Sequence, residues 1–352
     1  MKKILALILA LTALFAFAAC SDGNSDETTP DTTETITPSG HETNLPDEVV
    51  LDYDTEFNIT VISGTTGMGF ANMMTENENG NGLFKYNFDI VTAADMASSA
   101  IISGSADIAA VPTNLAAVLY NKTNSGIKVL AINTLGVLYL IENGDAITSP
   151  GDLAGKTIYC CQQGANPEYI TSYILEQNGY EVGKDVFLDF TYNAPDDLAN
   201  ALIAGEVDLA VLPEPKVTTT LMKNDALRVA LNFTEEWEKV SDGQPLPQGC
   251  IIARNEFIEA HPNEVNAFLS EYKKSVDFVT ESPEEASSMI ASLGIIPSAQ
   301  IALKAIPGCN ISYLDGEEMV ASMSAFFSVL NSKNPKAVGG TLPDENIFYK
   351  GK

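Results

Sequence analysis

Histidine is almost missing from this 352-residue chain, which has only His41 and His261. Neither stands with a serine or cysteine in a nucleophile arrangement, and no His, Cys, Asp or Glu spacing suits a metal, so triad hydrolysis and metal catalysis lack their residues. Adjacent acids such as Asp196-Asp197 and Glu284-Glu285 fall at helix starts, where negative charge favours the helix dipole. An enzyme is not expected, and no cofactor is called for. Basic charge is scarce as well: 19 Lys and Arg face 47 Asp and Glu, a formal net charge of −28. Nucleic acid is thereby excluded as a partner, because its phosphates need clustered cations. Many of the acids lie near the N-terminus or on helix faces such as Asn232 to Asp242, where solvated charge is the expected role. Apolar runs long enough to span a membrane are also missing; the longest, Ile4 to Phe17, is too short for an ordinary span.

Cysteine is sparse: Cys20, Cys160, Cys161, Cys250 and Cys309. The last four allow three pairings between which sequence does not choose, and buried free thiols are the alternative. Cys160 and Cys161 adjoin in an expected strand, which sends their side chains to opposite faces.

What is present starts with a targeting segment. Met1-Lys2-Lys3, the apolar run to Phe17 and the small residues Ala18-Ala19 read as a secretory signal over residues 1–20. Its end resembles a bacterial lipobox, with Phe17 where leucine is usual. The resemblance implies that Cys20 is acylated after cleavage and becomes a lipid-bearing N-terminus; an ordinary secretory signal is the other reading. Residues 21–52, rich in Ser, Thr, Asp, Glu and Pro, cannot bury enough apolar surface to offset the entropy of ordering them and read as a tether. The body that follows is long enough for a large core.

Within the body one phrase occurs twice. Ile102-Ser103-Gly104-Ser105-Ala106-Asp107-Ile108-Ala109-Ala110-Val111-Pro112 returns as Ile203-Ala204-Gly205-Glu206-Val207-Asp208-Leu209-Ala210-Val211-Leu212-Pro213. In each copy a glycine closes a helix, an apolar run forms a strand buried on both faces, and proline ends that strand. The carboxyl ends of such strands are where open α/β sheets bind ligands. Two copies about a hundred residues apart predict two α/β lobes facing one cleft.

The elements fall in matching order. The first half has strands over Phe57 to Ser63, Tyr86 to Thr92 and Val129 to Ile132, with a helix from near Phe70. The second has strands over Thr157 to Cys161, Val186 to Tyr192 and Leu227 to Leu231. Gly64-Thr65-Thr66-Gly67-Met68-Gly69 joins strand to helix in the first half, and Gln162-Gln163-Gly164-Ala165-Asn166 takes that place in the second. Such turns expose N–H groups at a positive helix end. The glycines do not follow the G-x-G-x-x-G order of a dinucleotide site, although Asp89 lies about twenty residues on. Thr113 and Asn114 are open between helix cap and ligand contact. The chain passes between lobes near Val137 to Glu142 and near Gln248 to Arg254, a two-strand hinge. Lobe 1 is therefore expected at 53–140 and 250–352, and lobe 2 at 141–249. The helical stripe Val265, Phe268, Leu269, Tyr272, Val276 and Val279, and a helix over Glu317 to Leu330, are expected to pack back on lobe 1.

These residues resemble the extracytoplasmic solute-binding proteins of ABC importers, in particular the nitrate/taurine (NitT/TauT) type. The glycine turn, Ala131-Ile132-Asn133-Thr134-Leu135-Gly136-Val137-Leu138-Tyr139, Asp152-Leu153-Ala154-Gly155-Lys156-Thr157-Ile158 and the repeated phrase carry the resemblance. It implies a type II periplasmic-binding-protein fold, two α/β lobes closing on a solute that passes to a permease and its ATP-binding subunits. It further implies a monomer on the outer side of a bacterial cell membrane, held there by lipid. The related thiamin-pyrimidine enzymes depend on a longer cysteine-rich segment than Cys160-Cys161. Carried over by position, lobe 1 contacts would be Thr65, Thr66, Gly67, Met68, Thr113, Asn114, Thr134 and Leu135. Lobe 2 contacts would be Gln163, Gly164, Asn166, Pro167 and Glu214. That set holds no Arg or Lys, which suits a small polar solute such as a sulfonate or a pyrimidine-like heterocycle held by hydrogen bonds. Glu214, if in the cleft, would favour a donor or positive group; a surface position for it stays open. A ligand-sensing or adhesive surface lipoprotein would use the same fold without transport.

Overall fold

The structure is a computed structural model that describes residues 50–351. The secretory segment, Cys20, His41 and the tether as far as residue 49 lie outside the described residues.

The body begins with β1 (Glu56–Ile62), α1 (Thr65–Met68), α2 (Ala71–Glu78), β2 (Lys85–Val91), α3 (Ala94–Ser103), β3 (Ile108–Pro112), α4 (Thr113–Lys122) and β4 (Ile127–Thr134). A second run comprises β5 (Leu138–Asn143), β6 (Thr157–Cys160), α5 (Asn166–Gln177), β7 (Phe187–Asp189), α6 (Pro195–Ala204), β8 (Leu209–Pro213), α7 (Lys216–Leu221), β9 (Leu227–Asn232) and α8 (Phe233–Val240). The chain returns through β10 (Gly249–Arg254) to α9 (Asn255–Ala260), α10 (Pro262–Glu281), α11 (Pro283–Ser292), α12 (Ala299–Ala305), β11 (Ile311–Leu314) and α13 (Gly316–Lys333).

Two sheets result, ordered β11-β4-β10-β3-β1-β2 and β7-β6-β8-β5-β9. Each holds a parallel core, β2-β1-β3 in one and β7-β6-β8 in the other. Each is then extended by a strand that arrives from the other sheet: β10 lies antiparallel between β3 and β4, and β5 antiparallel between β8 and β9. This is the two-lobed α/β architecture expected. Because β5 already belongs to the second sheet at Leu138, the first passage between lobes is residues 135–137, a few residues before the expected boundary at 141.

The repeated phrase builds the same structure twice. Gly104 and Gly205 close α3 and α6 in the left-handed conformation, at φ 76° and 73°, where a side chain would be strained. The strands that follow end at Pro112 and Pro213. Alternation sorts their side chains: Ile108 and Ala110 enter one core and Ala109 and Val111 another, while Leu209 and Val211 separate likewise from Ala210 and Leu212. Ala109, Val111, Leu209 and Val211 belong to the same cluster, so the two sheets share one apolar core. Cys160 and Cys161 also part to opposite faces, and all four described cysteines are buried and free.

Local departures from the sequence reading have local causes. A separate α1 forms inside the glycine stretch before α2 begins. Thr113 and Asn114 make no side-chain cap; they are the first residues of α4, and Pro112 takes the cap position. The strand expected over Val186 to Tyr192 shrinks to β7, an edge strand paired on one side only. The C-terminal helices divide. Helix α10 packs against α2 of lobe 1 as expected, whereas α13 touches α4 and β4 of lobe 1 and also α5 of lobe 2. Its buried stripe Met319, Met323, Phe326 and Leu330 enters the shared core, and Phe326 meets Trp237 of α8 edge-on at 5.7 Å.

Phe326 is fully buried. Phe326→Ala should lower the unfolding free energy by about 3–5 kcal/mol, read from the urea midpoint; a loss below about 1 kcal/mol would show that α13 does not lock the shared core.

Candidate functional site

A cleft of about 650 Å³ opens where the two parallel cores end. Residues from Ile62 to Thr66, after β1, face Gln162 and Ala165 to Pro167, after β6. Pro112 and Asn114 after β3 face Pro213 to Lys216 after β8, so both copies of the repeated phrase deliver the cleft wall. A third contribution, Ile295, Ile296 and Pro297, comes from the loop after α11.

Several backbone ties hold these loops. Gly64 adopts φ 108°, open to glycine, and its N–H donates to the Ile295 carbonyl at 3.2 Å, which brings the 295–297 loop to the cleft. The Asn133 amide donates to the Thr66 carbonyl at 2.9 Å. Thr113 donates its N–H to the Gln248 carbonyl at 3.1 Å and its hydroxyl to the Pro247 carbonyl at 2.9 Å. The start of α4 is thus fastened to the second passage between lobes.

Of the residues proposed from sequence, Thr65, Thr66, Asn114, Asn166, Pro167 and Glu214 line the cleft. The others have different work. Gly67 packs so tightly that an added Cβ would come within 2.9 Å of the Ile62 carbonyl, and Met68 is core. Thr113 is fully buried in the ties just described. Thr134 is buried with its hydroxyl on Asn133 Oδ1 at 3.2 Å, and Leu135 packs against the shared core. Gln163 and Gly164 turn outward, their N–H groups donating to Asn193 Oδ1 at 2.7 Å and Glu168 Oε2 at 2.5 Å. Their neighbour Gln162, at φ 56°, reaches the cleft instead.

The expected absence of Arg and Lys needs correction: Lys216 lines the cleft, ion-paired with Asp196, which lines it too. Ser63, Gln162, Gln248 and the 295–297 loop are further lining groups that sequence reasoning missed. Gln162 belongs to the turn that the sequence pointed at the cleft, and Lys216 adjoins Pro213-Glu214-Pro215; nothing in the sequence signalled the 295–297 loop. Apolar wall comes from six prolines together with Ile62, Leu115, Val137, Leu138, Ile295 and Ile296. Asn166 opens α5 behind a cap residue, Ala165, that offers no side-chain bond, so the positive helix end is turned to the cleft. Asn166 is 7 % exposed, and its Oδ1 has no hydrogen-bond partner.

Glu214 is buried rather than on the surface, at 8 % exposure. Its carboxylate accepts from the Thr218 N–H at 3.1 Å and the Thr218 hydroxyl at 2.9 Å. Burial nevertheless outweighs these bonds and pushes the group up to about 7. Among the described residues no cluster of three or more His, Cys, Asp or Glu side chains is placed to hold a metal ion.

The fold and cleft together define a type II periplasmic-binding-protein structure. A family model described as NMT1/THI5 like matches residues 124–286. An ABC transporter structure from Parabacteroides distasonis is 26% identical and superposes with a TM-score of 0.71, covering 85% of this chain and 100% of that one. The periplasmic aliphatic sulphonate binding protein SsuA from Escherichia coli is 16% identical, with a TM-score of 0.65 over 84% of this chain and 92% of its own. The periplasmic nitrate-binding protein NrtA from Synechocystis PCC 6803 is 12% identical, with a TM-score of 0.54 over 77% and 76%. No curated protein matches in sequence. The chain thus shares the fold of ABC-transporter periplasmic binding proteins, and residues 124–286 are similar to the NMT1/THI5-like family, in keeping with the nitrate/taurine type.

Glu214 gives a pH signature. Its raised value means that the folded chain holds a proton that the unfolded chain has released, between about pH 4.5 and 7. This group's contribution is therefore most favourable at acid pH and is lost as pH rises through that window. Glu214→Gln should gain stability over the wild type from pH 5 to pH 8, on the order of 2–3 kcal/mol at most. Urea unfolding at both pH values checks this; a difference that does not change with pH would contradict the assigned burial.

Proposed function

We propose that this protein is the substrate-binding subunit of an ABC importer, held to the membrane through lipid on Cys20, with residues 21–52 as its tether. A small polar solute enters between lobe 1 and lobe 2, binding favours the closed arrangement, and the permease receives the solute from that form. One observation carries the reading: the cleft of about 650 Å³ lies at the carboxyl ends of both parallel cores, and the two copies of the repeated phrase face each other across it. The sulphonate- and nitrate-binding proteins that share the fold support it.

In this reading Thr65, Thr66 and Asn114 hold the solute from lobe 1, and Asn166 and Pro167 from lobe 2, with apolar walls of proline and aliphatic side chains. Gly67, Met68, Thr113, Thr134, Leu135, Gln163 and Gly164 act behind this layer by shaping its loops. The cleft's lone lysine is already paired with Asp196, so the bound group is recognised mainly through hydrogen bonds and helix ends.

Native mass spectrometry of the full chain in mild detergent, before and after denaturation, should release a small molecule whose mass names its class. If none is released and no sulfonate, pyrimidine, oxyanion or amine raises the melting temperature, the sensing or adhesive reading takes its place. For whichever compound binds, Asn114→Ala and Asn166→Ala should each weaken affinity by roughly tenfold with unchanged melting of the free protein. Unchanged affinity in both would remove the cleft assignment.

A further inference from the structure

The lobes also meet beside the first connecting segment, where the Glu214 N–H donates to the Val137 carbonyl at 2.9 Å. The loop 306–309, which leads from α12 to β11 in lobe 1, receives two side chains of lobe 2. The Tyr139 hydroxyl of β5 donates to the Gly308 carbonyl at 2.9 Å. Glu214, just beyond β8, lies against the same glycine, so closely that an added Cβ there would stand 2.8 Å from Glu214 Oε1. Asn310 then ties this loop to the first passage between lobes, donating to the Gly136 carbonyl at 2.5 Å and accepting from the Leu135 N–H at 3.0 Å.

We propose that Glu214 and Tyr139, seated on the Gly308 loop, form a proton-dependent latch between the lobes, so that protonation of the Glu214 carboxyl favours the closed arrangement. The inference deepens the solute-binding reading and rests on it for the latch's use, but the contact can be tested without any solute.

The surroundings explain the dependence. Facing Glu214 are the Tyr139 phenol of β5 and the Cys309 thiol of the loop, both neutral at physiological pH. Burial raises each of them, and the Glu214 charge adds to both shifts. Lys216, the one charged residue of α7, is ion-paired with Asp196 of α6. On α12, which packs against α7, the one charged residue is Lys304, and it is exposed. Glu235 of α8 acts on Tyr139 with the same sign as Glu214. An ionised Glu214 at this contact therefore lacks a neighbouring cation, and the Thr218 bonds offset only part of its burial. If the lobes part, water reaches the carboxyl and the charged form becomes easy. The closed form then holds a proton that the open form gives up, so closure weakens as pH rises from about 4.5 through about 7.

The test is the distance between the lobes in the solute-free full chain. Spin labels on keto amino acids replacing Ser99 of α3 and Asn200 of α6, both exposed, avoid every cysteine. Pulsed dipolar spectroscopy from pH 9 to pH 5 should show the ratio of short to long distances rising by roughly tenfold or more. Glu214→Gln, isosteric and uncharged, should hold that ratio constant over the same range. Tyr139→Phe should lower the short-distance share at every pH while leaving the pH dependence in place. A wild-type distribution indifferent to pH, an equal response in Glu214→Gln, or no population change in Tyr139→Phe would each overturn the latch. A positive result with no solute ever found would leave the latch standing and remove the transport reading.

Discussion

Each sheet depends on a strand that the other lobe's run of chain supplies. Without β10 the ladder between β3 and β4 is missing, and without β5 the ladder between β8 and β9. Unpaired N–H and C=O groups at buried strands are costly, so neither lobe is complete until the chain has crossed and come back. The same exchange sets the cleft. It leaves the carboxyl ends of β1 and β3 opposite those of β6 and β8, and a link of only residues 135–137 keeps them close.

The shared core restrains this arrangement further. One face of each sheet, together with α13, contributes to a single apolar cluster behind the cleft. Separation of the lobes on that side would expose Trp237, Phe326 and their neighbours, at a cost of about 1.5–3 kcal/mol for each large side chain laid open. The front, by contrast, holds a wide cleft, and the polar contact of Tyr139 and Glu214 on Gly308 lies beside the first connecting segment. The hinge motion proposed for this protein would therefore be an opening at the cleft about a core that stays packed.

Much of this architecture was legible because it rests on local chemistry. Glycine at a left-handed helix end, an apolar run and a closing proline are readable residue by residue, and Gly104 to Pro112 and Gly205 to Pro213 fold as that grammar predicts. The site was legible at the level of loops and less so at the level of side chains. Whether Gln162 or Gln163 reaches the cleft turns on a single positive φ at Gln162, which composition does not announce. Thr113 and Asn114 are neighbours at a helix start, yet one is consumed by the Pro247 and Gln248 carbonyls and the other is free to line the cleft. Ile295 to Pro297 reach it only because Gly64 binds the Ile295 carbonyl across more than two hundred residues of chain. An amphipathic stripe such as that of α13 likewise states that a face is buried, not that two lobes share it.

Glu214 shows how one residue can belong to the cleft and to the joint at once. Thr218 binds both of its oxygens, as an acid beside a helix start commonly arranges, and this alone would favour the charged form. Gly308, lacking a side chain, lets the opposite lobe come close enough to exclude water, and that exclusion reverses the balance. A glycine in lobe 1 therefore sets the protonation of a carboxyl in lobe 2, because a larger residue at 308 would hold the lobes apart and leave the charge hydrated. In the proposed latch, solute capture and proton uptake would be linked through one closing motion, and by reciprocity whatever favours one would favour the other.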